Sequence, residues 1–314
     1  MTSVIFMGTP EFAVPILRAL VDHNYDIQAV VTQPDKKVGR KQKITPTPVK
    51  VAAEELNLPV FQPVKLSGSP EVEELIGLHA DLIITAAYGQ FLPSKFLESV
   101  KIAAVNVHGS LLPKYRGGAP IQYSLINGDS ETGITIMEMV KQMDAGDIYA
   151  QKALKIEPED TTGSVFAKLS LLGRDLLLAT LPQIIANPDQ KTPQDTSKVV
   201  FSPNIQKQQE QIKLTQTATQ ANNLIRGLNP DPGAYLSVAG KRLKVWQAEV
   251  SQETTDLAAG KLVANDDRFA ISFAEGTVLN LVEVQPAGKK KMTVNNFLNG
   301  QGSKYTVGEK IVDD

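Results

Sequence analysis

Residues 102 to 108, Ile-Ala-Ala-Val-Asn-Val-His, are an apolar run that turns polar only at its end, and the next twelve residues are crowded with turn formers. A short apolar run of this kind reads as a buried strand. Side chains on a strand alternate between faces, so Asn106 and His108 share one side while Val105 and Val107 share the other. In an open α/β sheet the chain leaves the sheet at the carboxyl ends of its strands, and ligands bind in the crevice formed there. Asn106 and His108 are therefore candidate site residues; the alternative is that neighbouring backbone groups satisfy both, as happens for most buried polar side chains. After them, Gly109 and Gly117-Gly118 permit close backbone approach, and Pro113 and Pro120 fix turns. Lys114 and Arg116 add positive charge, which completes the outline of a pocket rim.

The flanking sequence supplies the sheet. Ser3 to Met7 is a strand, followed by a turn at Gly8 and helical spacing from Pro10 to Leu20. Gly8 is followed by Pro10 and Ala13 where a dinucleotide fingerprint has glycines, so NAD binding is rejected. Further strands are expected at 27 to 32, 59 to 62 and 81 to 87, with helices at 49 to 56 and 69 to 78, the latter capped by Ser69. Thr132 to Met139 and Ile148 to Ile156 read as an antiparallel addition, and Thr162 to Ile185 as a long closing helix. The fold class is α/β, a doubly wound, mostly parallel sheet.

A polar, Pro-rich stretch after residue 187 marks a linker. Beyond it, short strands between Gly and Asp turns suggest a smaller OB-like β-barrel. The expected division is a catalytic domain over 1–188, a linker over 189–206 and a barrel over 207–314. The barrel carries 13 Lys and Arg against 12 Asp and Glu, but its cations cluster at Lys241-Arg242-Lys244 and Lys289-Lys290-Lys291. Residues 33 to 50 read as a loop without apolar periodicity, bearing Lys36, Lys37, Arg40, Lys41, Lys43 and Lys50 against Asp35. Such a loop is either a solvated surface or a segment that tracks a phosphate backbone.

Composition excludes several chemistries. The absence of cysteine removes disulfides, thiol catalysis and Cys-ligated metals, and three histidines leave little for a His-based metal site. No run of about 20 apolar residues stands out as a membrane span. The chain enters a strand almost at once, which points to a cytoplasmic protein of bacterial type, taken as a monomer.

The segment Asn106-Val-His-Gly-Ser-Leu-Leu-Pro-Lys-Tyr-Arg-Gly-Gly-Ala-Pro-Ile121 resembles the signature of the folate-dependent formyltransferases, and Met143-Asp-Ala-Gly-Asp147 resembles their Asp-bearing loop. A finer resemblance lies in Phe6 to Ala13, Thr32 to Lys36, Gly39-Arg-Lys, Pro46 to Lys50 and Gln285 to Lys290. The resemblance implies formyl transfer from 10-formyltetrahydrofolate, and its finer features imply the α-amino group of methionine on an initiator tRNA as acceptor. It implies catalytic roles for Asn106, His108 and Asp144, with Asp147 as the rival of Asp144. Ser110, Leu111, Leu112 and Pro113 would form the folate turn, with Tyr88 and Gly89 nearby. Arg40 would hold the family's key arginine position in a tRNA-binding loop with Lys36, Lys37, Lys41 and Lys43, and the barrel would meet tRNA through phosphates. Amine attack on a formyl carbon places negative charge on oxygen, so Asn106 and a protonated His108 are natural donors. Asp144 would favour the charged His108 and could hold a water that passes the amine's proton. Rival readings are an enzyme acting on a nucleotide-linked sugar amine, a hydrolase of the folate, and a catalytically silent RNA-binding protein.

Overall fold

The computed structural model describes residues 1–39 and 42–313. Arg40 and Lys41, two of the expected tRNA-binding residues, lie outside them. The chain divides into two compact units: 1–120, 131–155 and 166–203 form the first, and 121–130, 156–165 and 204–314 the second. The expected linker therefore belongs to the first unit as far as residue 203, where Ser202 is fully buried.

In the first unit, β1 (Ser3–Gly8) is buried along its whole length and α1 (Val14–Asp22) follows it with Pro15 in its first turn. β2 (Asp26–Val31) pairs with β1 in parallel. The segment expected to be an unstructured loop instead forms a hairpin of β3 (Lys36–Val38) and β4 (Lys43–Thr45). All six of its strand residues are exposed, so backbone pairing builds it without the alternation of burial that a sequence reading looks for. Helix α2 (Pro48–Glu55) is capped by Thr47, whose hydroxyl accepts from the Lys50 N–H.

β5 (Val60–Phe61), α3 (Pro70–Gly77), β6 (Leu82–Ala86), α4 (Ser94–Leu97) and β7 (Ala103–His108) follow. Ser69 stands at the start of α3, but its hydroxyl donates to the Leu66 carbonyl instead of capping the helix. After α5 (Pro120–Ile126) come β8 (Glu131–Glu138) and β9 (Ile148–Lys155), and then α6 (Thr162–Ala186). The sheet order is β5-β2-β1-β6-β7-β8-β9, parallel through β7 and antiparallel from β7 to β9. Helix α6 is long and apolar enough to cross a membrane by length and composition, a property that its interrupted apolar run conceals in the sequence. It carries Lys168, Arg174 and Asp175 and buries Val165, Leu169, Leu177, Leu181 and Ile184, the pattern of a core helix.

The second unit contains α7 (Ala218–Gly227), started by a reciprocal cap between Thr217 and Gln220, then β10 (Tyr235–Val238), β11 (Lys241–Thr254), β12 (Leu262–Asn265), β13 (Phe269–Ser272) and β14 (Thr277–Pro286). β15 (Met292–Thr293), α8 (Val294–Phe297) and β16 (Val312–Asp313) follow, and all but the first residue of α5 and the start of α6 also belong to this unit. The antiparallel order is β12-β13-β14-β11-β10-β16, with β15 on β14. Its two ends meet: Leu262 N–H donates to the Glu309 carbonyl at 2.9 Å and Gly308 N–H to the Leu262 carbonyl at 2.8 Å. The sheet thus curls toward a barrel around Phe269, Phe273, Leu281, Val284 and Leu236.

Candidate functional site

The carboxyl ends of β1, β6 and β7 lie side by side, because β6 pairs with both of the others. Thr85 on β6 stands opposite Asn106 on β7, and its buried hydroxyl donates to Asn106 Oδ1 at 2.8 Å. With its oxygen occupied, the Asn106 amide keeps its N–H groups for a ligand. His108 is almost fully buried, and its Nε2 lies 3.0 Å from the Tyr115 carbonyl. A carbonyl only accepts, so Nε2 carries the proton. The other ring nitrogen, Nδ1, faces Asp144 Oδ1 at 3.7 Å. The imidazole edge open to a reacting group is thus the one it shares with Asp144, since the Tyr115 carbonyl occupies the opposite nitrogen.

Asp144 lies in the loop between β8 and β9 and adopts φ 49°, a left-handed conformation that is strained for a side chain other than glycine. Its Oδ2 accepts from the Gly117 N–H at 2.8 Å, which leaves Oδ1 turned toward His108. Gly117 has φ 129° and sits so close to the Ser202 carbonyl that a Cβ would come within 2.6 Å of it. Glycine is required there for the amide to reach the carboxylate. Among the described residues Asp144, and not Asp147, is the carboxylate within 4 Å of the His108 ring.

The turn from Ser110 to Pro113 is held from below. Ser110 is fully buried and its hydroxyl donates to the Lys114 carbonyl at 2.6 Å, so its side chain builds the turn. Thr135, opposite His108 on β8, donates to the Ser110 carbonyl and accepts from the Leu112 N–H, while the Gln151 amide donates to Thr135 and to the Leu112 carbonyl. Leu112 is buried and Leu111 and Pro113 are half-buried.

Tyr88 and Gly89 follow β6. The Tyr88 carbonyl accepts from Thr9 and Gln33, but its buried hydroxyl has no hydrogen-bond partner among the described residues, and burial pushes its pKa up to about 12. The Tyr88 side chain packs in the apolar cluster with Ile83, Leu75 and Phe96, so what Tyr88 and Gly89 offer at the strand ends is backbone, while the Ser110 to Pro113 turn supplies apolar area and backbone groups.

The expected basic stretch is partly neutralised by its own acid. Asp35 accepts from Gln62 and from Lys50 at 2.7 and 2.8 Å, and these bonds, the Gln62 one first, hold its carboxyl below the ordinary range. Lys36, Lys37 and Lys43 stay exposed on the hairpin.

The structure also unites the two basic clusters of the second unit. Lys244 on β11 pairs with Gln285 on β14, and the Lys291 ammonium lies 3.9 Å above the Trp246 ring, with that of Lys244 at 5.3 Å. The Arg242 guanidinium stacks 3.8 Å over Tyr235. A groove of 160 Å³ opens between Arg242, Lys244 and Gln285 to Gly288. Cations held beside a groove in this way are suited to a polyanion.

The formyl transferase family pattern matches residues 1–181, and the pattern described as the formyl transferase C-terminal domain matches residues 204–302. The methionyl-tRNA formyltransferase of Lactobacillus acidophilus is 72% identical over 313 residues, with all of both chains covered, and that of Lactobacillus gasseri is 64% identical over 314, again with full coverage. The chain belongs to the methionyl-tRNA formyltransferase family. Solved structures carry the same fold at low identity. An N-formyltransferase from Helicobacter canadensis, in complex with folinic acid and dTDP-3-aminofucose, superposes with TM-score 0.70 at 19% identity, covering 91% of this chain and all of that one. HypX from Aquifex aeolicus with tetrahydrofolic acid gives 0.65 at 16%, covering 96% of this chain and 47% of that one.

Thr85, Tyr115, Thr135 and Gln194 do not stand out in the sequence as site residues. Thr85 is within reach of it, since parallel register between the strands ending at 86 and 108 sets it opposite Asn106. Gln194 gives no signal, lying in a polar stretch that reads as a linker.

Proposed function

We propose that this chain transfers the formyl group of 10-formyltetrahydrofolate to the α-amino group of methionyl initiator tRNA, which allows translation to start with N-formylmethionine. One observation carries the reading: Asn106, His108 and Asp144 converge at one strand end in a chain that aligns along its whole length with enzymes of that name.

The amine nitrogen attacks the formyl carbon, and the carbonyl pair moves onto oxygen. The Asn106 amide, oriented by Thr85, donates to that oxyanion, a preorganised contact of the kind that usually contributes most to such reactions. The amine then sheds a proton through the edge between His108 Nδ1 and Asp144 Oδ1, and the folate nitrogen gains one as its bond to the formyl carbon breaks. No covalent enzyme intermediate is required. Folate sits along Ser110 to Pro113, with the backbone at Tyr88 and Gly89 beside it.

Lys36, Lys37 and Lys43, together with Arg40 and Lys41, contact the tRNA from the first unit, and the cations around the Arg242–Lys244 groove contact it from the second, mainly through phosphates. In this reading 1–188 is catalytic, 189–206 connects and 207–314 binds tRNA, in a cytoplasmic monomer. The test is transfer of labelled formyl from 10-formyltetrahydrofolate to methionyl initiator tRNA, elongator methionyl-tRNA, a sugar-nucleotide amine and water in parallel. Label restricted to the initiator supports the reading, and label on the sugar amine or loss to water refutes it.

A further inference from the structure

Placement of Asp144 against His108 is central to the proposed chemistry, yet its own loop holds it in a strained conformation. Three consecutive residues surround the pair. Tyr115 gives its carbonyl to His108, Gly117 gives its N–H to Asp144, and Arg116, between them, is buried and directs Nε and Nη2 at Gln194 Oε1, 3.0 and 2.8 Å away.

Gln194 in turn donates from Nε2 to two carbonyls of the Asp144 loop, Asp144 O at 2.9 Å and Gly146 O at 2.7 Å. Its amide orientation is fixed by chemistry: Arg116 has only donors and the loop offers only acceptors, so oxygen must face one and nitrogen the other. Both hydrogens and both lone pairs of the amide are used. The segment is pinned on each side of Gln194, by Thr192 and Ile148 exchanging backbone bonds of 2.8 and 2.9 Å and by the Ser202 N–H donating to the Arg116 carbonyl at 2.8 Å.

We propose that Gln194 is a positioning residue for formyl transfer, acting through Asp144: it clamps the backbone of the Asp144 loop so that the carboxylate stays turned to His108. The stretch after α6 is then a strap across the site. This inference rests on the proposed function, and wild-type formylation of methionyl initiator tRNA is its first control; failure there removes that reading and leaves the clamp geometry aside.

The test is Gln194→Glu, alone and combined with Asp144→Asn. Glutamate keeps, and charges, the Arg116 contact but has no hydrogens for the two carbonyls. The expected result is a kcat lower on the order of tenfold or more, with KM for both substrates within about twofold of wild type. In the Asp144→Asn background the same change should cost nothing further, because the residue it acts through is already disabled. Should Gln194→Glu melt well below wild type, Gln194→Met, neutral and of similar volume, carries the same comparison. Wild-type kcat in the folded variant, a loss seen only in KM, or an equal loss in both backgrounds would overturn the proposal.

Discussion

Gly146→Ala is the sharpest perturbation of the Asp144 loop. Gly146 has no left-handed backbone requirement, so alanine is opposed only by what its Cβ would meet: the Glu138 carbonyl oxygen at 2.0 Å and its carbon at 2.9 Å. A Cβ approach below 3.0 Å essentially never occurs, and both of these neighbours are backbone in β8, so the loop itself must retreat by about 1 Å. Asp144 is two residues away and its grip on the site is narrow, one hydrogen bond of 2.8 Å to Gly117 and one approach of 3.7 Å to His108. A displacement of about 1 Å at such a group costs on the order of 10²-fold in rate, equivalent to roughly 2.7 kcal/mol of barrier. Stability should fall by about 1–3 kcal/mol, the usual cost of overpacking. Single-turnover formylation at saturating folate and tRNA, with a thermal melt and a tRNA-binding curve, separates these effects. A folded variant within about twofold of wild-type turnover would break the link between loop position and rate, because the loop could then move without harm to the chemistry.

Tyr88→Phe removes a buried hydroxyl that has no partner among the described residues, so stability at neutral pH should hold or rise; a clear loss of stability in a thermal melt would contradict this. Burial raises the Tyr88 pKa in the folded chain to about 12, so its stabilising effect is full below the ordinary tyrosine range and is lost as pH rises through that range toward 12. Alkaline melts of wild type should therefore decline more steeply there than those of Tyr88→Phe, and parallel curves would contradict the assignment. Replacing Lys36, Lys37 and Lys43 together by alanine should weaken tRNA binding and lower the slope of log K against log salt by about 2, as expected for three lost phosphate contacts. An unchanged slope would make the hairpin a solvated surface.

What could be read from the sequence follows from which physical signals reach it. Strands buried on both faces, such as Ser3–Gly8 and Leu82–Ala86, announce themselves as apolar runs, and the β8–β9 addition shows in its spacing. The β3–β4 hairpin does not, because it pairs by backbone with its residues exposed, and the two-residue strands β15 and β16 are too short to show a period. The site divides in the same way. Asn106 and His108 are legible from a period of two on one strand. Thr85 requires the register of a neighbouring strand, and Gln194 a contact across 78 residues from Arg116, which no local pattern encodes.

Everything proposed for the strand end depends on His108 serving chemistry and not tRNA capture. Single-turnover formylation by His108→Ala, measured beside its affinity for initiator tRNA, decides between the two. Turnover lower by on the order of 10² or more, with the dissociation constant unchanged, is the expected result. Near wild-type turnover, or a loss that appears wholly in tRNA binding, would contradict that role.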